Sequence, residues 1–156
     1  MNAQALQAGQ PAPLFTLPDA DMHSVELSRF RGKKHVVLYF YARDGTPACT
    51  RLATDFTDHD EDFARAHCVV IGISPDDCLC HAEFRDANGV SIPLLADSEG
   101  EVSRKYGVVS NGSNGRGLII PSTFVIDKKG HVRHALYGIN PKGHALDVLQ
   151  LVKALD

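Results

Sequence analysis

An α/β fold with a central β-sheet flanked by helices is what this chain of 156 residues predicts, and three features predict it. Two continuous apolar runs, Val36 to Tyr41 (VVLYFY) and Cys68 to Ser74 (CVVIGIS), are rich in β-branched and aromatic residues, as strands covered on both faces are. A helical pattern separates them. Near the C-terminal end, STFVIDKKGHVRHALYG reads as two strands joined by a Lys-Lys-Gly turn around residues 128–130. With 44% hydrophobic residues the chain can bury a real core, and one domain over residues 1–156 is expected.

The elements follow in order. FTLPDADMHSVEL predicts an N-terminal hairpin with its turn near Asp19 to Asp21. After the first apolar strand, Leu52, Phe56 and Phe63 recur at helical spacing, while Asp55, Asp58, Glu61 and Asp62 can occupy the wet face. A second helix starts near Asp76 or Asp77, whose carboxylates suit a helix N-terminus, and stops before Asn88-Gly89. A closing amphipathic helix places Leu146, Leu149 and Val152 on one face. Strand, helix, strand, helix, then hairpin and helix is the order of a thioredoxin-like domain with a mixed sheet.

Composition excludes several classes of function. The net charge of −3 gives no basic footprint for nucleic acid, and no apolar run approaches the ~20 residues of a membrane span. The opening MNAQALQAGQPAPLF has neither a positively charged start nor a continuous apolar core, so a secretory signal is not expected and a cytoplasmic location is. Four cysteines, at 49, 68, 78 and 80, are too few and too clustered for a secreted disulfide scaffold; in a reducing compartment such thiols are catalytic, metal-binding or simply buried.

Cys49 stands where a strand hands over to a helix, in RDGTPACT. A sulfur there faces the unpaired N–H groups and positive dipole end of the helix, which favour thiolate over thiol. Thr46, three residues earlier, can aim a hydroxyl back at the sulfur, and Pro47 stiffens the turn between them. The plainer reading is a small apolar residue closing a strand end.

FYARDGTPACT followed by DF resembles the active-site segment of peroxiredoxins, in particular the bacterioferritin comigratory protein or peroxiredoxin Q group, which typically reads FYPKDxTPGCTxEaxDF. GQPAPLFTL, VVIGISPDDCLCHAEFRDANGVSIPLLADSEGEVSRKYGV and STFVIDKKGHVRHALYG extend the similarity over nearly the whole chain. The resemblance implies that Cys49 is the peroxidatic cysteine and Thr46 the hydroxyl that orients peroxide. It implies a thiol peroxidase that acts on hydrogen peroxide and organic hydroperoxides through a sulfenic acid and is recycled by thioredoxin or a similar dithiol. No cofactor is required, and a monomer or weak homodimer is expected.

Departures from the pattern are Ala42 for the proline that opens it, Ala48 for the glycine before the cysteine and Leu52 for the following glutamate. The family arginine just before the STF-like strand is replaced by Pro121, which resembles the cis-proline of thiol-disulfide relatives. Arg116 and Arg51 are the nearest substitutes in sequence, Arg51 being expected to point outward from its helix, and a weaker peroxidase than the family norm follows. The subgroup's resolving position five residues after the nucleophile is Thr54, which leaves Cys78 and Cys80, both in the first turns of the second helix. Cys78 shares a face with Arg85, which matches another resolving position of the subgroup; Cys80 is rotated away but more accessible, and the sequence leaves both open. Cys68 enters its strand about 20 Å from the catalytic edge and reads as core.

CLCH, from Cys78 to His81, lacks the second cluster that a zinc site wants, and His81 reads as structural. The glycine-rich SNGSNGRG has no Lys-Ser/Thr continuation and is no phosphate loop. A dithiol oxidoreductase is disfavoured because Thr46 stands where Cys-x-x-Cys has its first thiol. The alternative to the peroxidase is a thioredoxin-like redox-sensing or binding protein with weak or lost peroxide chemistry.

Overall fold

Alternation along the first apolar run decides how the molecule is layered. In the computed structural model, which describes residues 5–111 and 117–155, β3 (His35–Phe40) is buried throughout, and its side chains divide between two cores. Val37 and Tyr39, with Tyr41 beyond the strand end, join one core; Val36, Leu38 and Phe40 join the other. Parallel β4 (Cys68–Ser74) pairs with β3 from His35↔Cys68 to Phe40↔Ile73, and β5 (Leu94–Ala96) extends the parallel set. On the other side, β8 (Ser122–Ile126) runs antiparallel to β3, and β9 (Val132–Tyr137) antiparallel to β8. The mixed sheet therefore has the order β5-β4-β3-β8-β9.

Helices cover both faces. On one lie α1 (Pro47–Asp58), α2 (Asp60–Arg65), α3 (Cys78–Asn88) and α5 (His144–Lys153), whose buried residues close over Val37, Tyr39 and Val125. α1 buries Cys49, Leu52, Ala53 and Phe56, the i, i+3, i+4, i+7 stripe of an amphipathic helix. The helical pattern between β3 and β4 breaks at His59 (φ −104°, ψ 9°), so one expected helix becomes two. α3 starts as the carboxylates suggest, with the Asp77 side chain accepting from Cys80 N at 2.8 Å, and stops at Gly89, whose φ of 64° suits a residue without a Cβ.

Opposite, α4 (Glu101–Lys105) packs Val102 under the sheet beside Tyr106 and Phe15. Its N-terminus is held by the buried Asp97, which accepts from Val102 N at 3.2 Å and from both Ser103 N and Ser103 Oγ at 2.8 Å. β1 (Thr16–Pro18) and β2 (Ser24–Glu26) form the expected N-terminal hairpin, bridged to the main sheet at Asp19↔Leu95. β6 (Val109–Asn111) and β7 (Gly117–Ile119) form a second small hairpin that the sequence pattern does not mark.

One assignment on α5 is corrected. Leu149 and Val152 are buried with Ala145 and Val148, but Leu146 is 49% exposed: the stripe runs one residue to the side of the expected one. No helix among the described residues is long and apolar enough to cross a membrane.

Candidate active site

The sheet brings Cys49 to the edge where β3 and β4 both end, because parallel strands send their helices off from the same side. Thr46, extended at φ −72° and ψ 153°, is the N-cap of α1, and Pro47 follows at the first helical position, where its missing N–H costs nothing. Cys49 N donates to Thr46 Oγ1 at 3.2 Å, and the same hydroxyl lies 3.4 Å from the Arg43 carbonyl. The hydroxyl expected at the sulfur is thus engaged by the helix's own amide.

Cys49 is 2% exposed. Burial pushes its thiol up to about 12; a backbone hydrogen bond from Gly45 works in the opposite direction, and the carboxylates of Asp44 and Asp76 add to the rise. The expectation of a readily ionised sulfur is therefore corrected for this conformation, in which desolvation outweighs the helix terminus. No lysine or arginine among the described residues acts on the sulfur. Arg51 pairs with Asp55 at 3.5 Å on the exposed flank of α1, and Arg116 lies outside the described residues. Pro121 is exposed beside β8 with a trans peptide bond, not the cis form that its position resembles.

A buried polar network surrounds the turn before Thr46. Asp44 accepts from Tyr41 Oη on Oδ1 at 2.7 Å and meets His81 Nδ1 with Oδ2 at 2.7 Å. His81 Nε2 reaches the Leu95 carbonyl at 2.9 Å. Asp44 N donates to Asp76 Oδ2 at 2.7 Å, which also accepts from Ser74 Oγ at 2.7 Å. Asp44 and His81 stand 37 positions apart in sequence, so nothing local announces the pairing. With both ring nitrogens engaged, His81 cannot join Cys78 in a ligand set.

The two cysteines of α3 separate. The sulfur of Cys80 and a carboxylate oxygen from each of Asp44 and Asp76 lie within 4.8 Å of one another, and those carboxylates also act on Cys49. The thiol of Cys78 is instead raised by partial burial and then by the charges of Asp19, in the hairpin turn, and Asp77. Cys80 thus shares its carboxylate neighbours with Cys49, and Cys78 has others. Arg85, at the other resolving position, ties α3 to the same turn through Asp21 at 3.0 Å. Cys68 is 4% exposed at the far end of β4, as expected of a core residue, and all four cysteines are free thiols.

A Thr-Pro-capped thiol at a strand-to-helix junction, on a five-stranded mixed sheet with helices on both faces, defines the class of thioredoxin-fold thiol proteins. Residues 8–135 match the AhpC/TSA family, and the chain belongs to it. It is 43% identical over 143 residues to a Mycobacterium tuberculosis protein named as a peroxiredoxin, covering 89% of this chain and 90% of that one. It is 36% identical over 151 residues to peroxiredoxin Bcp of Bacillus subtilis, covering 95% and 96% of the two chains. The crystal structure of peroxidoxin BcpB from Mycobacterium tuberculosis superposes with a TM-score of 0.89 at 31% identity, over 97% of this chain and 99% of that one. The expected peroxiredoxin kinship and thioredoxin fold are thereby established, and they support a thiol-dependent peroxidase.

Proposed function

We propose that the chain reduces hydrogen peroxide and organic hydroperoxides at Cys49 and is recycled by thioredoxin or a similar dithiol. The observation that carries this reading is the placement of Cys49 in the first turn of α1, behind the Thr46 cap whose Oγ1 accepts from Cys49 N. Once the proton leaves, the thiolate attacks the terminal peroxide oxygen. The O–O bond breaks, the sulfur becomes a sulfenic acid, and the departing oxygen takes a proton to leave as water or an alcohol. A second thiol then displaces the sulfenic hydroxyl as water and forms a disulfide, which an external dithiol reduces by exchange.

Cys80 suits the second step better than Cys78, because it shares the Asp44 and Asp76 surroundings with Cys49. Cys49 is buried, so the first turns of α1 and α3 must loosen before two sulfurs on separate helices can meet. One domain over residues 1–156, acting in the cytoplasm as a monomer or weak homodimer, is the setting proposed for this cycle.

A redox-sensing protein with weak peroxide turnover is the second reading. It is favoured by the raised Cys49 thiol and by the lack of a cation acting on the sulfur among the described residues. Stopped-flow consumption of hydrogen peroxide and an organic hydroperoxide from pH 6 to 10 separates the two. The peroxidase reading expects multiple turnovers with thioredoxin as reductant. Because the reactive form is the thiolate, it also expects a rate rising about tenfold per pH unit below the thiol's ionisation. Cys80→Ser should abolish turnover with dithiol while sparing the first attack, and Cys78→Ser should change neither. A single slow oxidation without turnover at any pH would leave the sensor.

A further inference from the structure

We propose that His81, acting through Asp44, is a positioning residue for Cys49: it balances the buried Asp44 carboxylate and fixes the turn whose Thr46 hydroxyl caps the first turn of α1 at Cys49 N. The inference rests on Cys49 being the reacting thiol.

Hydrogen-bond chemistry assigns the protons. The Leu95 carbonyl can only accept, so His81 Nε2, 2.9 Å from it, carries a hydrogen. The contact between Nδ1 and Asp44 Oδ2 at 2.7 Å needs a second one, since two bare lone pairs would repel. Imidazole and carboxylate thus hold one proton between them and together carry no net charge. Both are sealed from water, His81 at 0% side-chain exposure and Asp44 at 4%, where an unbalanced carboxylate is costly and its field reaches far. The titratable groups facing the pair are Tyr39 within β3, Tyr41 just beyond it, Asp76 and Cys80 from the junction of β4 and α3, and Cys49 from α1. Among the described residues His81 is the one basic side chain in that set.

Asp44 is fixed by three residues at once: by Tyr41, by His81 and, through its backbone N–H, by Asp76. The next residue is Gly45, at φ +87°, a conformation that side-chain-bearing residues rarely adopt. Thr46 follows as the cap of α1. Rotation of Asp44 would shift the Thr46 cap and, with it, the turn that holds Cys49. Losing His81 disfavours the thiolate twice over, through the unbalanced charge of Asp44 and through the displaced cap.

The readout is iodoacetamide alkylation of Cys49 in the full-length protein as a function of pH, followed peptide by peptide by mass spectrometry, with peroxide consumption in parallel. His81→Asn should move the Cys49 alkylation midpoint upward and slow both reactions about tenfold at a fixed pH below the midpoint, as a shift of one unit gives. Adding Asp44→Asn should restore at least half of the loss, a rescue that a merely structural role would not give. Asp44→Asn alone keeps the size and the Tyr41 contact while removing the charge, and it should lower the midpoint; this variant decides the matter if His81→Asn does not fold. An alkylation profile of His81→Asn that matches the wild type, or an unchanged or raised midpoint in Asp44→Asn, would overturn the proposal. A wild-type chain that ignores peroxide while its variants alkylate as expected would sink the peroxidase reading and support the positioning role of His81.

Discussion

Thr46 does its visible work as a helix cap, and that sets what its loss should do. Its Oγ1 is the acceptor for Cys49 N, so Thr46→Val leaves an orphan amide in the turn that holds the sulfur. Loss of such a cap costs about 1 kcal/mol, and the peroxide reaction should slow together with the stability. Stopped-flow rates and urea midpoints of the same variant check this; a rate loss with unchanged stability would mean that the hydroxyl serves the peroxide directly. Cys49, Thr46 and Pro47 were legible in the sequence because turn chemistry and helix start lie within four consecutive residues. The state of the thiol was not. A helix terminus can be read locally, but the desolvation that opposes it comes from Tyr39, Tyr41, Leu52 and the rest of a core assembled from distant segments.

Within the elements, one close approach governs the middle of the sheet. A Cβ on Gly72 in β4 would stand 2.8 Å from the ring and hydroxyl of Tyr39 in β3. That ring cannot yield, because it is stacked on Tyr41 at 5.5 Å and on Phe56 at 4.9 Å. Gly72→Ala should therefore destabilise by about 1–3 kcal/mol, as overpacking does. Tyr39→Phe should leave stability unchanged or raise it, since the buried hydroxyl has no partner among the described residues. In the double variant only the hydroxyl's share of the Gly72→Ala cost should vanish, since the ring carbon at 2.8 Å stays; thermal melts of the four proteins measure the cycle, and a double variant as stable as Tyr39→Phe alone would contradict it. Long elements were the readable ones: β3, β4 and the α1 stripe announce themselves by period. β5, β6 and β7 have three residues each and α4 five, too few to show a period, and α4 is held by Asp97 rather than by a capping residue beside it. The Leu146 error has a similar origin, because Ala145 is as buried as a larger residue yet carries little hydrophobic signal.

For the whole molecule, the buried titratable groups bound stability on both sides of neutrality. Burial pushes Cys49 and Cys68 up to about 12, whereas in the unfolded chain such thiols ionise near ~8.5. The native state then holds protons that the unfolded chain has lost, so this contribution is complete below ~8.5 and declines as pH rises toward 12, by up to about 1.4 kcal/mol per pH unit for each thiol. On the acid side, burial holds His144 below the ordinary histidine range, its Nε2 sharing a 2.8 Å hydrogen bond with Thr123. Its contribution is present above ~6.5 and is lost as pH falls. Melting temperature should peak between about pH 6.5 and 8.5, and Cys68→Ala should flatten the alkaline limb; an alkaline limb indifferent to that change would contradict the assignment. The claim on which the rest depends is that Cys49 meets the peroxide. Its most direct test is one equivalent of hydrogen peroxide at pH 8 with a sulfenic-acid trap, followed by mass spectrometry of all four cysteine peptides. The account predicts the trapped adduct on Cys49, or a Cys49–Cys80 disulfide where resolution outruns the trap; labelling confined to Cys68, Cys78 or Cys80, with Cys49 untouched, would contradict it.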